Sequence, residues 1–201
     1  MSDYSKIIWD YFTDKIGNEY GVAGLMGNLQ AESGLCPYRL QGDFSSGYAT
    51  SQAYTLDVDS GAISEYDFVN NGPNGGGYGL AQWTYSTRKQ ALYNMCKSGG
   101  YSSIGSVELA CDYLWWELQN SYPDVLTVLE AARNVRIASD KVLHDFENPA
   151  VQTEAVEIAR AEMGQNWFDL YTGTTPGGGT DPAKKKGLPL IMMYTATRRR
   201  F

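Results

Sequence analysis

Histidine is nearly absent from this chain: His144 is the only one in 201 residues. That scarcity excludes a zinc amidase, because a catalytic zinc needs about three protein ligands and histidine supplies most of them in the usual sets. It also weighs against cysteine-peptidase chemistry, which pairs a thiolate with a histidine base. His144 lies in VLHDFENP, and none of Cys36, Cys96 and Cys111 stands in a nucleophile context. The three cysteines lack paired spacing, so buried free thiols are the expectation and a single disulfide the alternative. No metal or organic cofactor is implied. Long apolar runs are missing too, since nothing approaches the roughly 18 residues that cross a bilayer. The opening MSDYSKIIWDYF has no signal-peptide core.

Basic residues are scarce everywhere except near the C-terminal end. Six of the 16 (Lys184, Lys185, Lys186, Arg198, Arg199 and Arg200) fall in the last 18 positions, where no acidic residue occurs. The first 183 residues hold 10 basic residues against 23 acidic ones, a formal charge of −13. So acidic a body lacks the footprint of a nucleic-acid binder, and no nucleic-acid partner is expected. An anionic ligand would be held by contacts in a groove rather than steered by charge.

What the chain does have is core material. It is 43% hydrophobic and 13% aromatic, enough for one domain of ordinary size with a tail. Ile7, Ile8, Tyr11, Phe12 and Ile16 recur at helical spacing and predict a helix over 4–16 that stops at Gly17. A second helix is expected over 20–32, with Val22, Leu25, Met26 and Leu29 on one stripe. Its Gly24 and Gly27 cost about 1 kcal/mol each relative to alanine, which suggests that another backbone passes close by. Further helices are expected over 86–97, 106–119, 124–133, 138–146 and 149–171, the last opening with Pro149 in its first turn. Residues 34–85, rich in Gly, Ser, Tyr, Asn and Asp, read as loops with short strands. The body, 1–171, is therefore mainly α with a small loop or β insert. Residues 172–187 read as a Gly/Thr/Pro/Lys linker and 188–201 as a short apolar-basic tail. The tail is too short for a helical span, so it is expected to pair with a neighbouring chain or domain, with surface membrane contact the alternative.

Within NLQAESG, Glu32 falls three residues after Leu29 and seven after Leu25, on the apolar stripe. Burial disfavours a charged carboxylate, and the negative end of a helix dipole does the same. Both effects favour a protonated acid, the property required of a proton donor. The alternative is a solvated helix-end acid, or one paired with Arg39 or Arg88. A second feature is GPNGGGYGLAQWTY, where closely spaced glycines let the backbone approach a ligand and Tyr78, Gln82, Trp83 and Tyr85 supply faces and hydrogen-bond groups. It lacks the endings of a phosphate loop. Sugars, with apolar faces and hydroxyl edges, suit it better.

Taken in order, NLQAESG, GYGLAQWTYSTRKQAL, WWEL and FENP resemble the phage tail lysozyme family, in the goose-type lysozyme and lytic transglycosylase branch of the lysozyme superfamily. The resemblance covers about residues 5–171. It implies an α+β, lysozyme-like fold that is mainly α, and a peptidoglycan hydrolase that cuts the β-1,4 bond between N-acetylmuramic acid and N-acetylglucosamine. Glu32 would be the general acid, Gly79, Leu80 and Gln82 would shape the glycan groove, and Tyr78 and Trp83 would wall it. Glu117 and Glu147, in WWEL and FENP, read equally well as acids that brace the fold, and are not assigned to catalysis.

Glycosidases commonly use a second carboxyl. The family pattern puts an aspartate shortly before GYGLAQW, and Asn71 stands near that place here, so Asp67 and Asp59 are the candidates. Without a second carboxylate, Glu32 would act as acid and then as base on the sugar 6-hydroxyl, giving the 1,6-anhydro product of a lytic transglycosylase. A non-catalytic glycan-binding or structural tail module is the other alternative. The expected partners are peptidoglycan strands and, through the tail, other phage or cell-wall hydrolase domains. The chain would work virion-associated or at the bacterial wall, reached within a virion, by a holin-like route, or as part of a longer secreted protein.

Overall fold

The computed structural model describes residues 4–43, 49–71 and 76–174. Most of the linker expected over 172–187, all of the tail over 188–201, and positions 72–75 of the glycine-rich segment lie outside the described residues.

Helix α1, Ser5–Ile16, ends where Gly17 takes a left-handed conformation (φ 71°) and donates its N–H to Thr13 O. Helix α2, Glu19–Ser33, starts at Asn18, whose Oδ1 accepts from Tyr20 N at 3.0 Å while its amide donates to the carbonyls of Glu130 and Ala132. One side chain thus caps α2 and ties it to the end of α6 (Pro123–Ala131).

The expected single apolar stripe on α2 is an underestimate, because the helix is buried on nearly every side from Gly21 to Leu29. Helices α1, α6, α7 (Val135–Lys141) and α8 (Glu154–Thr172) pack around it. The three glycines of α2 make this close packing possible. An added Cβ would meet Leu129 O at 2.1 Å from Gly21, Ala138 Cβ at 2.5 Å from Gly24, and Arg160 O at 2.3 Å from Gly27. The close backbone approach expected at Gly24 and Gly27 is therefore present, against α7 and α8 respectively.

Helix α7 runs into a π-helical turn, Val142–Glu147, closed by Asn148 in a left-handed conformation (φ 42°). Pro149 consequently follows a helix end instead of opening the next helix, and α8 begins at Glu154 after Thr153. Prolines are common just past such an end because they cannot continue the helix.

The insert departs furthest from expectation. Among the described residues it contains no strand, only the isolated bridges Leu40 to Tyr78 and Tyr78 to Trp83. It does contain helix α3, Ala49–Ser60, and a π turn, Asp67–Asn71. The buried face of α3 is Ser51, Thr55 and Val58. Ser51 accepts from Leu40 N and donates to Asp43, while the Thr55 hydroxyl bonds the Tyr78 hydroxyl at 2.7 Å. A helix that packs through hydroxyls leaves no apolar period to read.

Helices α4 (Ser86–Gly99) and α5 (Val107–Asn120) complete the mainly helical body. All three cysteines are buried and unbridged.

Candidate active site

Glu32 sits in the last turn of α2, before Gly34 turns the chain in a left-handed conformation (φ 65°). Its Oε1 accepts from an Arg160 Nη at 2.6 Å, with side-chain exposures of 20% for Glu32 and 11% for Arg160. Oε2 receives no hydrogen bond from the described residues. The partner is neither Arg39 nor Arg88, and the setting is charged where the sequence predicted an apolar one.

Arg160 is itself held in place. Its other Nη donates to Asn28 Oδ1 at 3.1 Å, and the fully buried Asn28 donates in turn to Gly24 O and to Ser139. The close contact at Gly27 brings the Arg160 backbone onto α2, so the guanidinium spans one turn of helix from Asn28 to Glu32.

The glycine-rich motif is attached directly to the segment that follows Glu32. Gly79 N donates to Arg39 O at 2.7 Å, Gln41 N to Gly77 O at 2.9 Å, and Gly77 N to Gln41 Oε1 at 2.9 Å. Gln82, with a positive φ of 46°, donates its amide to both Arg39 O and Gly79 O. Neither Gly77 nor Gly79 admits a side chain: at Gly79, φ is 81° and a Cβ would lie 2.8 Å from the Trp83 ring, and at Gly77 a Cβ would lie 2.7 Å from Gln82 O.

Tyr78, Leu80 and Trp83, expected to face the groove, are 2%, 0% and 0% exposed. They pack beneath this turn, and only Gln82 among the five expected binding residues is partly exposed. The reason is visible in their partners. Tyr78 is bonded to Thr55 and enclosed by Tyr54 and Phe68, while the Trp83 indole donates to Glu117 Oε2 at 2.7 Å and packs on Tyr113.

Glu117 also accepts two bonds from Arg88, at 2.6 and 2.8 Å. It therefore braces the fold. Arg88 in turn lies over the rings of Phe146 and Tyr122.

Glu147, next to Phe146, closes the π turn that packs on α2. Its Oε1 is sealed from solvent with no hydrogen-bond partner among the described residues. Burial pushes its carboxyl well above the usual range and the charge of Glu32 adds to this, while Arg88 and Arg160 oppose it. The carboxyl that feels the charge of Glu32 is thus one that the sequence placed with the bracing residues.

The two aspartates offered as a second carboxylate are engaged locally. Asp59 accepts from Ser103 Oγ at 2.6 Å and Ile104 N at 2.8 Å, anchoring the loop before α5. Asp67 is exposed and accepts from Ser64 Oγ at 2.6 Å. Asn71 ends the Asp67 turn. An open depression lined by Asn18, Glu19, Tyr20, Glu130 and Phe168 lies at the opposite end of α2, roughly 20 Å along the helix from Glu32 at 1.5 Å per residue.

Arg160 had no local signal toward Glu32, being 128 residues away. Gly164, four residues after Arg160 on the face that meets α2, was the one mark of close packing there. A family model described as phage tail lysozyme matches residues 3–171. No curated protein matches the chain.

Proposed function

The chain belongs to the phage tail lysozyme family, and from that membership we propose that it cleaves the β-1,4 bond between N-acetylmuramic acid and N-acetylglucosamine with Glu32 as general acid. Its coarser role follows from the family: it is lysozyme-like, degrades peptidoglycan, and is virion-associated or acts at the cell wall.

One observation carries the assignment of the acid. Glu32 is anchored through Oε1 to Arg160 while Oε2 accepts no hydrogen bond from the described residues, on a side chain that keeps 20% exposure. One oxygen fixes the group and the other remains available to a substrate. In the first step Glu32 gives its proton to the glycosidic oxygen, the bond to the anomeric carbon breaks, and positive charge develops on the sugar. The carboxylate left behind meets the Arg160 guanidinium in a charge-assisted hydrogen bond. In the second step water attacks the anomeric carbon, its proton returns to Glu32, and the product is a reducing sugar. Asp67, exposed on its turn, and Asp59 are the proposed second carboxylates, whose negative charge would stabilise the positive charge that develops on the sugar.

That Asp59 and Asp67 both accept local hydrogen bonds favours a second reading, in which the sugar 6-hydroxyl replaces water and a 1,6-anhydro end results. The mass of the released muropeptides separates the two, because the anhydro product is lighter by one water. Turbidity clearing of cell walls by Glu32→Gln against wild type tests the acid. Clearing should fall by about 10² or more, the range for loss of a positioned proton donor; equal rates would leave a glycan-binding module. The C-terminal tail is proposed to join the body to other phage or wall-hydrolase domains, since the acidic body gains little attraction to an anionic wall.

A further inference from the structure

The buried charges behind Glu32 do not balance. Three carboxyls, Glu32, Glu117 and Glu147, gather around two guanidiniums, Arg88 and Arg160. Glu117 accepts from two of the Arg88 nitrogens and from the Trp83 indole, so it is fully provided for as an anion. Arg160 is shared between Glu32 and Asn28. Glu147, half-buried as a residue, is left with an Oε1 that is sealed from solvent and reached by no donor among the described residues. A buried carboxylate without hydrogen bonds is far costlier than the neutral acid.

We propose that Glu147 is a positioning residue for the proton donor: Glu32 and Glu147 hold one proton between them, with Arg160 as their common counter-charge. The inference rests on Glu32 being the acid and adds how that acid comes to carry a proton beside an arginine. With only Glu32 and Glu117 present, two guanidiniums would match two carboxylates and the cluster would need no proton. The third carboxyl brings the proton in. It rests on Glu147 while Glu32 is ionised; when it passes to Glu32, the charge taken up by Glu147 is offset by Arg88 and Arg160. From the second arrangement Glu32 gives it to the glycosidic oxygen, and the proton is restored when water or the sugar hydroxyl attacks. The charged groups facing Glu147 are Glu32 from α2, Arg88 from α4, Glu117 from α5 and Arg160 from α8. Tyr122, which precedes α6, stacks on Arg88. Burial of Glu147 and the charge of Glu32 act in the same direction, toward the protonated form.

The test is the pH profile of wall clearing by the full chain carrying Glu147→Gln, which keeps the shape and removes the third ionisable group. The basic limb should move to lower pH by about one unit, a tenfold loss of activity above it, as expected when a nearby charge is withdrawn. Glu147→Asp should restore the limb. A purely structural role would lower the amplitude and thermal stability without moving the limb. An unmoved limb in Glu147→Gln overturns the inference. Infrared spectroscopy gives a readout independent of activity and of how well the variant folds. Wild type should show a protonated-carboxyl band at neutral pH, and absence of that band overturns the inference. If Glu32→Gln clears walls as wild type does, the function proposed above fails instead; if it is inactive and the Glu147→Gln limb is unmoved, only the shared proton fails.

Discussion

Replacing Gly27 with alanine adds one methyl group at the point where α2 and α8 touch. The new Cβ would lie 2.3 Å from Arg160 O, 2.6 Å from Gly164 N and 2.9 Å from Gly164 Cα. Those neighbours are backbone, so relief requires moving a helix by about 1 Å to reach the ordinary contact separation of about 3.5 Å. Two effects of opposite sign compete. Alanine is the better helix former by about 1 kcal/mol, while overpacking a tight core costs about 1–3 kcal/mol and sometimes more. Contacts to backbone leave no rotamer to turn away, which places the cost at the upper end and the net loss near 2 kcal/mol. In a body of this size each kcal/mol shifts the melting temperature by roughly 2–4 °C, so Gly27→Ala should melt about 4–8 °C lower. The moved helix also carries Arg160, and a displacement of about 1 Å at a catalytic anchor can cost about 10² in rate. Calorimetry and wall clearing on the same preparation measure both. A melting temperature equal to or above wild type would show that helix propensity wins and that α2 and α8 are not in backbone contact.

Two further outcomes are expected. Glu117→Ala leaves the Arg88 guanidinium buried without its carboxylate and the Trp83 indole without an acceptor, and should cost about 3–5 kcal/mol in urea unfolding. A cost below about 1 kcal/mol would mean the pair is solvated. His144 bonds Gln152 Oε1 through Nδ1 and Glu157 Oε1 through Nε2. These bonds, Gln152 first and Glu157 after it, raise its pKa above 6.5, with burial partly opposing them. A group raised on folding contributes stability that is complete below its unfolded pKa and lost as pH rises through the folded one. The melting difference between wild type and His144→Ala should therefore shrink from pH about 6 upward, past the ordinary histidine pKa of roughly 6.5. A difference that grows over that range would refute the assignment.

Much of the helical body was legible because its elements announce themselves locally. Gly17 and Gly34 stop two helices in left-handed conformations, and Ser106 caps α5 by accepting from Leu109 N. Helix α3 was not legible because it packs through Ser51 and Thr55, and α8 was started early because Pro149 serves as a stop for the preceding turn. The glycine-rich motif showed its turn at Gly79, but Tyr78 and Trp83 face inward, since Thr55 and Glu117 offer their polar atoms partners inside the core, and only Tyr85 of the three aromatics stays exposed.

The order of residues along the chain determined that a glutamate ends a glycine-spaced helix and that a glycine-rich turn follows it. Both are consequences of local backbone preference and spacing, which act over a few residues. What stands around Glu32 was decided only by the tertiary structure. Arg160 arrives from a helix 128 residues away because Gly27 and Gly164 let two backbones meet, and Glu147 joins them at the end of a π turn packed on α2. Charges that share one counter-ion across such distances in sequence interact through space, and no local pattern records them.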